Sequence, residues 1–461
     1  MLRQPVTSTI NPPTTRTVKP PPVWYHLFIA LSIQAGQPVP KGKLTPLRHV
    51  WHIPEVQPSR QKTIIFLGDG MADEPVPSLG NRTPLQAART PGMDTIAREG
   101  RCGSLLTLPA GFPTSSEVAN MSVLGCDLPT EYCGRGTLEA VGRGIPLGPL
   151  DTAFRLNLVT TDGGILQDFS GGHINADHAA QLIDALNHAF GSPDIRFYTG
   201  VSYRNILVLS GNRFSPRIQM DKPDDNHGEP VDRHLPRALS AEADETVRLL
   251  HRLIREAPAV LEACNCNRQL REAGKPRANG VWPWSAGRAG AFRKLSDVYG
   301  IRGAVISAVD VIVGLGRCLG MDAIQVPGAT GYIDTNYEGK ARAAIEAFHD
   351  HDFVFLHVEA IDEVSHARDL NLKIRAIEDF DRRVIVPVLD TMGPALNAVI
   401  LPDHPVPIAT GKHTRTPVPV AVRMQNVSPD AVQSFDEIIC PGGSLGAMTN
   451  GDLMRLLFPS R

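Results

Sequence analysis

Short apolar runs, rich in β-branched residues, recur along the chain, and three of them are followed closely by an acidic side chain. The runs cover residues 63–67, 353–358 and 398–401, and the acids that follow them are Asp69, Asp362 and Asp403. Continuous apolar runs of this length are typical of buried parallel strands. Ligands of open α/β sheets bind beyond the carboxyl ends of the strands. The pattern therefore predicts an α/β fold in which these acids converge at one edge of a sheet.

Histidines accompany two of these acids. His366 follows Asp362 at helical spacing, so both side chains share one face of a helical turn and suit a single metal ion. His404 is adjacent to Asp403, and His413 precedes a further β-like run. A lone acid is more often a turn former or a helix cap, but three acids in the same context favour a metal site. Mixed nitrogen and oxygen ligands favour Mn²⁺ or Zn²⁺ over Ca²⁺.

The stretch PTSSEVANM, residues 113–121, predicts the start of a helix, because hydroxyl residues precede an acid and an apolar-patterned run. A capping role is the simplest interpretation of its serines, since their side chains accept orphan backbone N–H groups. The local pattern leaves open a further, chemical role for one of these serines.

The first 60 residues differ from the rest of the chain. They are rich in proline and threonine, and the apolar run at residues 23–33 is too short to span a bilayer. We interpret residues 1–60 as a disordered N-terminal extension without assigned chemistry.

Length, charge and cysteine content narrow the classes of function. A chain of 461 residues favours more than one domain, and a net charge of −2 disfavours a nucleic acid or an anionic membrane as partner. Seven cysteines are few and odd in number, which argues against a disulfide framework and for a reducing compartment, the cytoplasm. A homo-oligomer is compatible with the sequence.

Five motifs, in this order, resemble those of the cofactor-independent phosphoglycerate mutases, in the archaeal-type branch of the alkaline-phosphatase superfamily. The resemblance spans roughly residues 62–460. It implies an alkaline-phosphatase-like doubly wound sheet core formed by residues 61–145 and 297–461, interrupted by a smaller α/β substrate-binding or lid domain at 146–296. The motifs are LGDGMAD (67–73), SEVANM (116–121), DEVSH (362–366), PDH (402–404) and HTRTPVPV (413–420).

The resemblance also implies a two-metal site around a serine that is phosphorylated during turnover. Ser116 is the implied nucleophile, because it directly precedes the acid of its motif, as the family's serine does. The ions implied are Mn²⁺ or Zn²⁺, with Mg²⁺ also compatible, and no 2,3-bisphosphoglycerate is required. One ion is assigned to Asp362, His366 and His413, and the other to Asp69, Asp403, His404 and Ser116.

Binding of a phosphoglycerate requires cationic partners for its phosphate and carboxylate. The candidates stand in family-like stretches or in the inserted segment, and they are Arg155, His173, Arg204, Arg288 and Lys340. We expect the inserted domain to close by hinges near residues 144–148 and 287–290, where glycines occur. The glycine-rich segment 314–320 does not match a dinucleotide fingerprint, because it has one residue too many.

The resemblance implies interconversion of 3-phosphoglycerate and 2-phosphoglycerate through a phosphoserine. The alternative is a homoserine kinase or another phosphotransferase or phosphatase on the same scaffold, since acceptor choice depends on the inserted domain. A non-catalytic metal-binding protein is less favoured, because the ligand set and the nucleophile are complete.

Overall fold

Strands and helices alternate along most of the chain. The computed structural model describes residues 61–288, 290 and 292–459, and the predicted N-terminal extension lies outside them. The strands in this part are β1 (Thr63–Gly68), β2 (Arg101–Leu105), β3 (Thr152–Asp162), β4 (Ile165–Asp168), β5 (Ile195–Val201), β6 (Arg204–Leu209), β7 (Ile218–Gln219), β8 (Arg237–Ala238), β9 (Gly280–Arg288), β10 (Gly303–Ile306), β11 (Asp322–Ala323), β12 (Phe353–Val358), β13 (Asn397–Pro402), β14 (Val418–Arg423) and β15 (Gly446–Met448). The α-helices are α1 (Pro84–Ala87), α2 (Pro91–Arg98), α3 (Ser116–Val123), α4 (Leu128–Glu131), α5 (Arg135–Gly142), α6 (Ala176–Phe190), α7 (Asp244–Ala263), α8 (Asn265–Glu272), α9 (Leu295–Tyr299), α10 (Asp310–Cys318), α11 (Tyr337–Ala347), α12 (Ala360–His366), α13 (Leu370–Phe380), α14 (Val386–Met392) and α15 (Asp452–Leu457).

The larger sheet has eight strands in the order β11-β10-β12-β1-β13-β14-β2-β15. Strands β10, β12, β1 and β13 are parallel, whereas β14 is antiparallel to both neighbours. Side chains of β1 alternate between two apolar clusters, with Ile64 and Phe66 on one face and Ile65 and Leu67 on the other. Helices α2, α11, α13 and α14 supply the first cluster, and α3, α5, α10 and α15 supply the second. The predicted α/β fold with a doubly wound sheet is confirmed.

A second sheet is built from residues 152–288. Its strands are antiparallel in the order β4-β3-β6-β5, and β9 pairs with β3 on the side away from β6. One face packs against α6 and α7 through a separate apolar cluster that includes Phe154, Leu182 and Leu250. All of these strands fall within the predicted inserted segment. The assignment of that segment as a substrate-binding or lid domain stays a prediction.

Helices α5 and α10 approach so closely that glycine is required at their contact. A Cβ atom at Gly142 would lie 2.0 Å from the carbonyl oxygen of Asp310, and one at Gly314 would lie 1.8 Å from that of Leu138. Real Cβ atoms do not approach backbone oxygen so closely, so the two backbones can touch only without side chains there. Gly314, the first glycine of the segment 314–320, thus has a packing role.

Two further observations concern the cysteines and the hydrophobicity of the helices. All seven cysteines are free thiols. Within the part of the chain that the structure describes, no helix combines the length and the apolar character that a membrane crossing requires.

Candidate active site

Three acids lie side by side where the central strands end. Strand β1 pairs in parallel register with β12 and β13, so the residues directly after the three strands, Asp69, Glu359 and Asp403, are neighbours. Asp69 and Asp403 have no exposed surface. Burial, and then the charges of Asp403, Glu359 and Asp362, raise the pKa of Asp69 well above its usual range. The row of acids therefore favours a bound positive charge.

The first ligand group consists of Asp362, His366 and His413. The Nδ1 atom of His366 lies 2.8 Å from the carbonyl oxygen of Gly411, and that of His413 lies 3.2 Å from the carbonyl oxygen of Thr114. Each Nδ1 therefore carries the hydrogen, which leaves the Nε2 lone pairs free. The two Nε2 atoms are 2.9 Å apart and lie 3.3 and 3.6 Å from the carboxylate of Asp362. Three electron-pair donors thus converge on one point, which fits a divalent cation.

Protons compete for the same position. Burial alone would lower the pKa of His366, but the hydrogen bond to Asp362 and its charge raise that pKa to about 9. The pKa of His413 is lowered to about 4, chiefly by burial. Burial opposes ionisation of Asp362, yet its hydrogen bond to His366 and the neighbouring histidines hold its pKa below the usual range. A cation bound here displaces the proton on His366.

The second ligand group surrounds His404. Its Nε2 atom lies 3.2 Å from the Oγ of Ser116 and 3.4 Å from both Asp69 Oδ1 and Asp403 Oδ2. Among the described residues, Asp69 Oδ1 and His404 Nδ1 are buried without a hydrogen-bond partner. Buried polar atoms without partners are costly, and a cation held by these four side chains gives Asp69 Oδ1 a partner. The residues fit a second divalent ion.

The two ligand groups are contiguous. The rings of His404 and His413 stack with centroids 3.9 Å apart. Ligand atoms of Asp69, Asp362 and His404 lie within 4.8 Å of one another, so Asp362 borders both groups. The structure thus brings together the nucleophile and all six metal ligands that the sequence predicts, and adds Asp362 to the surroundings of the second position.

Ser116 is the first residue of α3, and Ser115 occupies the N-cap position. The predicted helix start is therefore correct, but the side chain of Ser115 makes no capping hydrogen bond. Asn120, one turn further along α3, donates to the carbonyl oxygen of Ser116 at 2.8 Å and to Asp403 Oδ2 at 2.9 Å. It ties the serine's helix to the second ligand group. Its helical spacing from Ser116 is the signal that could have revealed it.

Two further side chains at this edge were not predicted from the sequence. His357 lies within β12 and places its Nε2 atom 2.9 Å from Asp69 Oδ2. Burial is the main cause that lowers the pKa of His357 to about 3. Burial and the charge of Asp362 raise the pKa of Glu359 to about 7. His357 and Glu359 follow from the register of β12 with β1, for which the local sequence has no signal.

Two cavities flank Arg135, which lies at the start of α5. One, of about 160 Å³, is lined by Arg135 with Arg204 and Glu359. The other, of about 400 Å³, extends from Arg135 to His413 and to Lys222 of the inserted segment. Together they connect the ligand groups with the second sheet. A small anion has room on either side of the Arg135 guanidinium.

The two cavities together are called the cleft. Of the residues predicted to bind substrate, Arg204 lines the smaller cavity. Arg155 is buried behind it and pairs with Glu139, which also binds Arg135 at 2.8 Å. Lys340 is fully buried and donates to the carbonyl oxygen of His357 at 2.8 Å. Burial lowers the pKa of Lys340 to about 8. Arg155 and Lys340 therefore lie beneath the surface of the site.

Arg288 and His173 are not brought to the cleft. The guanidinium of Arg288 donates to the carbonyl oxygen of Phe214 and to the hydroxyl of Thr152, both in the inserted segment. His173 is exposed in a turn, where its φ of 52° is in the left-handed region. Positive φ is uncommon outside glycine and belongs to tight turns.

Comparisons with known proteins agree with this geometry. The family model of 2,3-bisphosphoglycerate-independent phosphoglycerate mutase matches residues 97–267. The protein of that name from Methanosarcina mazei is 46% identical over 403 residues, which are 87% of this chain and the whole of the relative. The chain belongs to the 2,3-bisphosphoglycerate-independent phosphoglycerate mutase family. The predicted resemblance is confirmed.

Relatives and solved structures extend over most of this mutase-family chain. A protein named as the same mutase from Methanopyrus kandleri is 37% identical over 86% of this chain and 96% of its own. The cofactor-independent phosphoglycerate mutase from Thermoplasma acidophilum superposes with a TM-score of 0.61 at 29% identity, over 86% of this chain and 98% of its own. The PH0037 protein from Pyrococcus horikoshii reaches 0.74 at 27% identity, over 86% and 96%.

Proposed function

We propose that this protein interconverts 3-phosphoglycerate and 2-phosphoglycerate through a phosphoserine at Ser116. The observation that carries the proposal is the position of the Ser116 hydroxyl at a helix N-terminus, 3.2 Å from His404 Nε2 and beside both ligand groups. A nucleophile in this place can attack phosphorus while the helix N-terminus and the ligand groups balance negative charge. Relatives over 86% or more of the chain carry the mutase name.

The reaction divides into two transfers to oxygen. The Oγ of Ser116 attacks the phosphorus of 3-phosphoglycerate, the bond between phosphorus and the C3 oxygen breaks, and that oxygen ends with the proton that serine loses. The C2 hydroxyl of the retained glycerate then attacks the phosphoserine, and the proton it loses ends on the Ser116 oxygen. No oxidant and no external phosphate donor is needed, which is consistent with an isomerase.

The ligand groups supply the electrostatic part of catalysis. Asp362, His366 and His413 hold one divalent ion, and Asp69, Asp403, His404 and Ser116 hold the other. Bound divalent ions neutralise charge on the phosphoryl oxygens and favour the alkoxide of serine. We propose Mn²⁺ or Zn²⁺, because the donors mix imidazole nitrogen with carboxylate oxygen, and Mg²⁺ is also compatible with the carboxylates. No 2,3-bisphosphoglycerate takes part.

A mutase must retain glycerate and exclude water between the two transfers. We propose that Arg204 and Arg135 bind the carboxylate or the phosphate, since both line the cavity that ends at Glu359. The inserted segment, residues 146–296, closes over the ligand groups by hinges near 144–148 and 287–290. Lys222 of that segment already lines the same cavity as His413. Closure removes bulk water from the phosphoserine.

The test is a coupled assay with enolase, in which formation of 2-phosphoglycerate is followed, run beside an assay with homoserine and ATP. We expect activity in the first assay and none in the second. Homoserine kinase is not favoured, because the relatives over most of the chain are named mutases. Turnover of homoserine without mutase activity would overturn the proposal. A cytoplasmic location and a homo-oligomer stay predictions.

A further inference from the structure

A chain of hydrogen bonds leads from the start of α10 to a predicted metal ligand. The backbone N–H of Val309 lies 3.0 Å from the hydroxyl oxygen of Ser307, which is 3.2 Å from Nδ1 of His357. The Nε2 atom of His357 lies 2.9 Å from Asp69 Oδ2. His357 and Asp69 have no exposed surface, and Ser307 is buried. No water is needed to connect these groups.

The chemistry of the donors fixes the direction of every hydrogen bond. A backbone N–H can only donate, so the Ser307 oxygen accepts from Val309. The carboxylate of Asp69 can only accept, so Nε2 of His357 donates to it. Nδ1 of His357 then accepts, and the ring carries its hydrogen on Nε2. That hydrogen is donated to the Oδ2 atom of Asp69. The Ser307 hydroxyl therefore donates to Nδ1 and holds the ring in the tautomer that donates to Asp69.

We infer that Ser307 and His357 form a positioning relay that holds one oxygen of Asp69 and directs the other towards the second metal position. Asp69 Oδ1, the free oxygen, has no hydrogen-bond partner among the described residues and lies 3.4 Å from His404 Nε2. Without the relay, the carboxylate can rotate about its terminal bond and lose this orientation. The inference rests on the proposed function, because it needs Asp69 to be a ligand.

A purely structural role for His357 is the competing explanation. The position lies in an apolar strand, where an imidazole is costly unless both nitrogens have partners. Both nitrogens do have partners, and one of them is a predicted ligand. Outer partners of metal ligands typically account for a 10- to 100-fold difference in metal affinity. The two explanations therefore differ in metal affinity.

The experiment titrates Mn²⁺ into the metal-stripped full-length protein by calorimetry. We expect two binding events in the wild type. In His357→Leu, one of them should weaken by about 10- to 100-fold, while the other is unchanged. In His357→Gln, most of the affinity should return, because the amide N–H can donate to Asp69. Ser307→Ala, which leaves the ring in place, should weaken the same event by a smaller factor.

His351→Gln is the matched control. His351 is also buried in the sheet region and contacts a carboxylate, Asp322, at 2.9 Å, but it is not linked to the ligand groups. It should leave both binding events unchanged. Thermal unfolding of each metal-free variant shows whether it is folded, and Ser307→Ala decides the question if His357→Leu is not.

The relay is overturned if His357→Leu and Ser307→Ala keep the wild-type affinity for both ions. It is also overturned if His357→Gln binds as weakly as His357→Leu, or if both events weaken equally. A wild type that binds no metal contradicts the proposed function instead. A wild type that binds one ion contradicts the two-ion site. If Asp69→Asn weakens that ion, the relay is tested on it as above, and if Asp69→Asn does not, the relay is overturned.

Discussion

The ligand groups and the wall of the cleft differ in how tightly their side chains pack and in how much volume they leave for a ligand. At the strand ends, acids and histidines are buried and lie within 4.8 Å of one another in interlocking groups. On the wall formed by α5 and the second sheet, basic side chains border cavities of about 160 and 400 Å³. The first region is arranged before any ligand arrives, whereas the second leaves volume for one. Under the proposed function, the strand ends carry the chemistry at phosphorus, and the wall binds the glycerate.

The two regions also differ in the sign of their charge. The ligand groups contain several carboxylates. Burial is the main cause that raises the pKa of Asp69, and the charges of the neighbouring carboxylates raise that pKa further. The wall contains the guanidinium groups of Arg135, Arg155 and Arg204, which surround the carboxylates of Glu139 and Glu117. A phosphate ester placed between them meets cations on both sides once the ligand groups are loaded. The predictions below test this division of labour.

The largest effect is expected at Ser116, the proposed nucleophile. Ser116→Ala removes the oxygen that accepts phosphorus, so mutase turnover should fall by at least about 10³-fold. The enolase-coupled assay measures turnover, and calorimetry with Mn²⁺ shows whether the ligand groups persist.

Ser115→Ala is the control for this substitution. The side chain of Ser115 makes no capping hydrogen bond, so turnover and unfolding free energy should stay close to wild type, within about 0.5 kcal/mol. If Ser116→Ala keeps near wild-type turnover, or Ser115→Ala loses it, the nucleophile has been assigned to the wrong serine.

Metal removal should abolish activity, and Mn²⁺ or Zn²⁺ should restore it. The pH dependence has a definite sign. Without metal, the pKa of His366 is raised to about 9, so binding of an ion there must displace one proton at neutral pH. Apparent metal affinity should therefore fall about tenfold for each pH unit below 9. Titrations at pH 7 and pH 8 measure the slope, and an affinity independent of pH would contradict the assignment of His366.

At the cleft wall, Arg204→Ala should raise KM by about 10- to 100-fold, since a hydrogen bond to a charged group is worth about 1.5–3 kcal/mol. It should also raise the ratio of phosphate released to 2-phosphoglycerate formed, because the glycerate is held less firmly. Both products can be quantified in one reaction. If KM and the product ratio are both unchanged, Arg204 does not bind the substrate.

The smallest effect on catalysis is expected for Arg288→Ala. Its guanidinium bonds the carbonyl oxygen of Phe214 within the inserted segment, so KM should stay within about twofold of wild type. The unfolding free energy should fall by about 1 kcal/mol, because one hydrogen bond is lost while the Thr152 hydroxyl still donates to that oxygen. A KM increase as large as that of Arg204→Ala would place Arg288 in the binding surface and erase the distinction between them.

The sequence was informative about the ligand groups because parallel strands impose a general geometry. Asp69 and Asp403 follow apolar strand patterns, and strands that end at one edge of a sheet bring such residues together wherever they stand in the chain. The helical spacing of Asp362 and His366 needs no tertiary information at all. These placements could be predicted from local patterns and one topological rule.

Other placements depend on contacts between distant segments. His357 stands in an apolar strand, and its link to Asp69 follows from the register of β12 against β1. Arg135 reaches the cleft because α5 carries it there, and α5 is positioned by its glycine contact with α10. Arg288 and Arg204 are both arginines of the inserted segment, but the guanidinium of Arg288 donates to the carbonyl oxygen of Phe214 within that segment. A charge count along the chain cannot distinguish an arginine that faces a cavity from one that supports a sheet.

The row of acids at the strand ends implies a trade-off between function and stability. Without metal, Asp69 is a buried carboxylate whose Oδ1 atom has no partner among the described residues and whose neighbours repel it. Asp69→Asn removes that repulsion and keeps an acceptor for His357, so the metal-free variant should unfold at a higher temperature than the metal-free wild type. Thermal unfolding of both measures this, and a lower midpoint would refute it. Added metal should reverse the ranking, because an ion that binds only the folded state stabilises the wild type. A shortage of metal should therefore lower the thermal stability of the folded protein as well as its activity.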